Sequence, residues 1–491
     1  MVIDKFPFLR LLRLLASELE PKAVIPNGQF SPLTMSTKAI THPPISMLFT
    51  ELLSLIFEVV CESSGFPFEI KLSHVSRYWR DVALSTPRLW RAIFLKPQRS
   101  LQMPSRYVKR SGALPVTLRV GSHKSYVDEG EVARRHKTLE CMAQIIRRCA
   151  HRCHSLRIDA RFDLAELAEI LKPLATPPTA LCLRTARIDM YCRGMDDEES
   201  EVMKRFVDSR RTIFGSCVSS LTSLSLRGLG IQTLLATPIP NLVSLKLHDP
   251  SFIRTSLASM AQVLNNMSVL THLTINGDCI GEWTPDVHIT LPVLETLQLR
   301  MHLILLPDIL AVISAPKLQS LLLENVYSRE IEVFTQHCLS RTELKFPVLR
   351  SLTLIGSHYE WIDNSAWTGL FSTFPTITEF TISYQSWRSF LTALCTPLKL
   401  EPQEHPWPNL EKLVLVYRPD THSKLYHESL LGALGKRTAC GLPIRQLHLS
   451  RTIMKTVEYG LEKLRSLADI EENNQFSEDD FKFYLSWAEP N

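Results

Sequence analysis

The sequence predicts an α/β protein in two parts: a small all-helical bundle, then a long solenoid of strand–helix repeats carrying a curved parallel sheet. Two observations predict it. Between Pro43 and Leu95 apolar residues recur at a helical period. From Ser220 onward a Leu-x-x-Leu-x-Leu unit returns nine times. Composition agrees, because 45% hydrophobic and 21% charged residues suit a large buried core. Gly is scarce, 17 of 491 residues, which argues against collagen-like and Gly-rich phosphate-loop architectures.

The helical unit comes first. Leu48, Leu52, Leu53, Ile56, Phe57 and Val60 follow one helical stripe, entered through Thr50-Glu51. A second series, Leu72, Val75, Tyr78, Trp79 and Val82, alternates with His74, Arg77, Arg80 and Asp81 and reads as another helix. Thr86-Pro87 ends it, and Leu89-Trp90 opens a short third segment. A unit of about 50 residues is marginal alone and gains from a partner that covers its apolar surface.

The repeats follow. Their central anchors are Leu224, Leu245, Leu273, Leu297, Leu321, Leu352, Phe380, Leu413 and Leu447, spaced by 21 to 34 residues. Leu-x-Leu is a short strand with one buried face, and the Leu upstream of it joins the same core. Segments such as Ser256–Leu264 and Pro307–Ile313 read as helices that cover the sheet. A Pro before many strands is expected to stop the preceding helix. Weaker units are placed at Leu156-Arg157-Ile158 and Leu181-Cys182-Leu183.

These residues carry two resemblances. The blocks Leu48-Phe49-Thr50-Glu51-Leu52-Leu53-Ser54-Leu55-Ile56-Phe57, Leu72 to Ala83 and Ser85-Thr86-Pro87-Arg88-Leu89-Trp90 resemble an F-box, in wording close to the F-box families of mushroom-forming fungi. One departure is Phe49, where that family usually has Pro. The repeats resemble leucine-rich repeats of irregular length. The F-box resemblance implies docking on a Skp-family adaptor and, through it, on a cullin. Leu48, Leu52, Leu53, Ile56, Val75 and Trp79 are then candidates for the adaptor face, or else for the bundle's own core. The implied function is the substrate-recognition subunit of an SCF-type (Skp-cullin-F-box) ubiquitin ligase. The alternative is a repeat scaffold whose F-box is uncoupled from ubiquitin transfer.

In such a solenoid alternate strand residues line the concave face. Candidates for binding an unidentified target protein there are Arg227, Lys246, His248, His272, Asn276, Gln298, Arg300 and Glu324. The face becomes more apolar later, at Ile355, Val414 and Val416. Residues 99–157 carry 13 Lys or Arg against four acidic residues. Tyr107 and Tyr126 are their only aromatics, so base stacking is not expected and a solvated helix face is the favoured reading. Leu114–Val120 alternates like a strand, and Leu139–Cys149 reads as an amphipathic helix.

The expected boundaries are 1–40 for an amphipathic helix and linker, 41–95 for the F-box, 96–155 for a basic transition, 156–455 for the solenoid and 456–491 for an acidic cap or tail containing Phe481, Phe483, Tyr484 and Trp487. No catalytic residue, cofactor or metal is expected. Cys149, His151, Cys153 and His154 are too crowded for a zinc site without a second ligand pair. No apolar run reaches the roughly 18 residues of a membrane span. Eleven scattered cysteines suggest reduced thiols, hence a cytoplasmic or nuclear setting.

Overall fold

The computed structural model describes residues 48–64, 67–96, 100–121, 129–160, 167, 170, 172–173, 182–190, 219–229, 231–235, 239–248, 255–277, 280–282, 287–300, 306–340, 344–356, 362–383, 387–398, 405–416 and 424–473. The expected leader helix within 1–40 and the aromatic segment from Phe481 lie outside these residues.

The described residues open with a helical bundle. α1 (Thr50–Ser64) and α2 (Phe68–Leu72) are followed by α3 (Arg77–Ser85) and a 3-10 turn, Pro87–Trp90. The series from Leu72 to Val82 is therefore not one helix. Ser76 breaks it: its extended backbone and its Oγ, which accepts the Trp79 N–H at 3.1 Å, form an N-cap that starts α3 afresh.

Among the described residues a 14-stranded, wholly parallel sheet follows. Its strands, in spatial order, are β1 (Ala92–Leu95), β2 (Val116–Gly121), β3 (Cys153–Ala160), β4 (Thr185–Met190), β5 (Ser223–Arg227), β6 (Ser244–His248), β8 (His272–Asn276), β11 (Thr296–Arg300), β13 (Ser320–Glu324), β14 (Ser351–Ile355), β15 (Glu379–Ser383), β16 (Lys412–Leu415), β17 (Gln446–Leu449) and β18 (Asp469–Glu472). Four short strands pair outside it, β7 (Thr255–Ser256) with β9 (Ile280–Glu282) and β10 (Ile289–Thr290) with β12 (Ile313–Ser314). The helices between strands are α4 (Gln102–Arg110), α5 (Glu129–Cys149), α6 (Leu257–Asn265), α7 (Leu306–Val312), α8 (Ser328–Leu339), α9 (Asn364–Thr373), α10 (Trp387–Leu394), α11 (Lys424–Ala439), α12 (Arg451–Thr456) and α13 (Leu461–Arg465).

The order of strands is the order of the chain, so every unit adds one strand beside the last, as in a solenoid. All nine anchors read from the sequence lie in register across this sheet, and each is fully buried. The array is longer than expected at both ends. Among the described residues it runs from Ala92, takes in the expected basic transition through β2, meets the unit expected at Leu156-Arg157-Ile158 as β3, and reaches β18 inside the expected cap. One unit is shifted. Leu183 is buried two residues ahead of β4, where Leu221 and Leu242 sit ahead of theirs, and the strand's own inward residues are Ala186 and Ile188. The small Ala186 hid that strand from a search for Leu-x-Leu.

The Pro that precedes many of the strands acts differently from expectation. Pro240, Pro292, Pro316, Pro347 and Pro408 each occupy the second position of a β-turn. In each the Leu N–H donates to the carbonyl three residues back, as from Leu294 to Leu291 at 3.2 Å and from Leu318 to Ala315 at 3.1 Å. Proline's fixed φ pre-sets that turn and drops the Leu into the core. At the next step one carbonyl per repeat accepts two N–H groups from the following repeat. Thr271 O, for example, receives Glu295 N and Thr296 N at 2.9 and 3.0 Å. Two lone pairs on one oxygen thus lock successive strand entries together. Strand exits need a left-handed residue in three repeats, met by Gly228, Gly277 and Asn325. At Gly228 a Cβ would lie 2.5 Å from the Met190 carbonyl oxygen.

Inward strand residues and the buried sides of the helices form one continuous core that includes the bundle's Leu53, Phe57 and Trp79. Where Phe380 replaces Leu, an aromatic group fills the larger space: Phe390 and Trp407 stand 4.7 and 4.8 Å from its ring centroid. Trp407 takes a positive φ of 41°. Arg437, buried, fixes that turn by donating from Nη1 to Pro406 O at 2.8 Å and from Nη2 to Trp407 O at 2.9 Å.

Candidate functional site

Two surfaces stand out, one on the bundle and one on the sheet. On α1 successive residues turn by about 100°. Leu53, Phe57 and Val60 share one narrow arc and are fully buried. The neighbouring arc carries Leu52, Leu55, Ile56 and Val59, and it is left open: Leu52 is 49%, Leu55 53% and Val59 64% exposed, with Phe49 at the helix entry 74% exposed. Val75, in the turn before α3, is 60% exposed. The apolar band of this helix is about twice as wide as the bundle can cover.

The six residues expected on an adaptor face therefore separate. Leu53 and Trp79 belong to the core, their packing completed by Phe57, whose ring lies 5.0 Å from that of Trp79. Leu52 and Val75 are exposed, and Leu48 and Ile56 are half-buried. Leu48 is held in place through its carbonyl, which accepts the Tyr78 hydroxyl at 2.7 Å. Leu55 and Val59 were missed, although the helical wheel that placed Leu52 also places them beside it.

The bundle is joined firmly to the sheet. Trp90 donates its indole N–H to Ala83 O at 2.8 Å and packs edge-on against Tyr107 of α4, centroids 4.9 Å apart. The Arg110 guanidinium covers the Trp90 ring at 4.3 Å. The Tyr107 hydroxyl donates to the buried Glu69 carboxylate of α2. Burial pushes the Glu69 carboxyl up despite that bond, and burial with the Glu69 contact pushes the Tyr107 phenol up as well. Arg152, counted within the solvated basic stretch, is in fact buried. It donates to Leu114 O, Val108 O and Ser111 Oγ at 2.7, 2.8 and 3.1 Å.

The second surface is the helix-free face of the sheet. Arg227, His248, Asn276, Gln298 and Arg300 are half-buried on it, and Lys246 and His272 are exposed. Glu324 is only 6% exposed and pairs with Arg300 at 3.2 Å, so it orients that arginine more than it offers itself to a ligand. The later part of the face differs from expectation. Ile355, Val414 and Val416 point out of the strand core but are only 5–6% exposed, and their neighbours Leu322 and Thr381 are also buried. The open part runs from β2 to β11.

Three arginines on that open part were not singled out from sequence. Arg119, Arg157 and Arg187 occupy one row across β2, β3 and β4, all exposed. Arg157 and Arg187 each head an Arg-Ile-Asp triplet, 157–159 and 187–189, that lies in register with the other. Arg157 Nε donates to both oxygens of Asp159, at 3.0 and 2.8 Å, and Arg187 Nε donates to Asp189 at 2.6 Å. Asp189 is buried and also faces Arg227 at 4.0 Å. His248 lies in register beside Arg227. Burial first, then Arg227, Arg187, Lys246 and Arg300, push its imidazole down to about 4, so it is neutral at pH 7.

Burial also pushes the Cys149 and Cys153 thiols up, to about 11 and about 12, which disfavours the thiolates that bind metal. Among the described residues no three side chains of metal-ligating type converge, and no helix is long and apolar enough to cross a membrane. No family model matches the chain, and no curated protein matches it significantly.

Proposed function

We propose that this chain is the substrate-recognition subunit of an SCF-type ubiquitin ligase, a non-catalytic adaptor. In this reading the bundle is an F-box that docks a Skp-family adaptor, the adaptor bridges to a cullin, and the sheet holds a target protein. The observation that carries it is the exposed apolar arc of α1. Leu52, Leu55 and Val59 form an anchor stripe of the kind that seats an amphipathic helix in a partner's groove. The revised docking face is Leu52, Leu55, Ile56, Val59 and Val75, with Phe49 and Leu48 at its edge.

The firm joint through Trp90, Tyr107 and Arg152 supports the same reading. A receptor works here by proximity, and a fixed angle between adaptor and target face keeps target lysines within reach of the transfer machinery. The test is co-purification of the full chain with a Skp-family adaptor and a cullin, beside a Leu52→Asp, Val59→Asp variant. Capture by the intact chain and loss in the variant are expected. A folded intact chain that captures no adaptor would favour the uncoupled scaffold, with Phe49 as the first position to examine.

A further inference from the structure

We propose that the open part of the helix-free face binds an acidic protein segment laid across β3–β6, its carboxylates received by Arg157, Arg187, Arg227 and Lys246. The proposal deepens the receptor reading and rests on its assignment of this face to a target. Geometry carries it. In both Arg-Ile-Asp triplets the aspartate holds its arginine through Nε alone, and the terminal nitrogens of Arg157 and Arg187 make no other hydrogen bond among the described residues. A guanidinium held in this way presents its remaining donors as a fork that fits a carboxylate in two parallel hydrogen bonds. The second triplet repeats the first one strand away, about 4.8 Å across the sheet.

Charge points the same way. Outward positions of β2–β11 carry Arg119, Arg157, Arg187, Arg227, Lys246 and Arg300 against only Asp159 and Asp189. Lys246 has no ion pair among the described residues, and Asp189 is shared by two arginines. A nucleic acid fits less well. The two aspartates interrupt the cationic row, and the one Phe, Tyr or Trp ring on this face among the described residues of β1–β11, Phe94, is covered by Arg119 at 5.0 Å.

The test uses the full-length chain as bait for a displayed library of random 12-residue peptides, with the enriched pool sequenced. Parallel selections use Arg157→Gln, Lys246→Glu and Arg187→Lys variants. The first two alter exposed side chains, and the third keeps Asp189 paired while removing the planar fork. The expected result is Asp and Glu enrichment of about threefold or more over the input library, lost with Arg157→Gln plus Lys246→Glu. One resynthesised binder should weaken about tenfold with Arg187→Lys and about tenfold between 50 and 300 mM salt. No acidic enrichment, enrichment unchanged in the variants, or displacement of the binder by single-stranded dT12 at equal concentration would each overturn the proposal. Adaptor capture is scored on the same preparations. Capture without acidic enrichment sinks this inference alone, whereas acidic enrichment without capture sinks the ligase reading and leaves the surface standing.

Discussion

Two helices with apolar faces are treated in opposite ways. α9 buries Ala366, Trp367, Leu370 and Phe371 between its neighbours, and its Asp363 N-cap accepts the Ala366 N–H at 2.9 Å. α1 buries Leu53, Phe57 and Val60 and leaves an equally apolar arc in solvent. Every inner unit of a solenoid has a neighbour on each side, so its apolar surface is consumed within the array. α1 sits in a bundle ahead of the first strand and has no such neighbour among the described residues. Its surplus apolar surface is what a partner would cover.

Several substitutions separate the two situations. Trp367→Ala removes a fully buried indole from the inner stack and should cost about 3–5 kcal/mol in chemical denaturation. Leu55→Ala in the open arc should stay within about 0.5 kcal/mol in the same measurement. Arg437→Ala comes next: with the carbonyls of Pro406 and Trp407 left buried without their donor, a loss of about 2–3 kcal/mol is expected. Phe49→Pro tests the bundle's entry. The position lies just outside α1, where a fixed φ restricts the unfolded chain, and stabilisation of about 0.4–1 kcal/mol should follow.

A pH titration sharpens the contrast on the sheet. His248 is neutral when folded, with its pKa pushed down to about 4 from an ordinary value near 6.5. The unfolded chain therefore binds this proton first as pH falls. Its contribution to stability is full above about pH 6.5 and is lost progressively down to about pH 4. His248→Gln should flatten that part of the stability curve. Saturation with an acidic peptide should raise the His248 pKa, as read from its imidazole resonances.

Much of this was legible because burial leaves a periodic mark. Leu224 to Leu447 could be placed as strand anchors from spacing alone, and alternation then located Arg227, Lys246 and Arg300 on the opposite face. What escaped lacked that mark. β4 hides behind Ala186, whose small side chain does not read as a core anchor. Arg119 and Arg157 were absorbed into a run of basic residues, because charge counts do not reveal which arginines share a sheet face. The interruption at Ser76 was hidden by an apolar period that continues across it. Which half of the α1 band is covered depends on how α2 and α3 pack, and no single-helix pattern contains that. The later face, apolar in sequence at Ile355, Val414 and Val416, is closed by tertiary packing that strand alternation cannot show.

The central claim is that the open arc of α1 seats an adaptor, and calorimetric titration of a Skp-family adaptor into the full chain tests it most directly. Binding with a negative heat-capacity change is expected from apolar burial. Leu52→Asp with Val59→Asp should weaken it about a hundredfold or more while leaving the thermal transition in place, since both side chains are exposed. Binding that survives this variant unchanged, or a folded intact chain that gives no binding, would contradict the account.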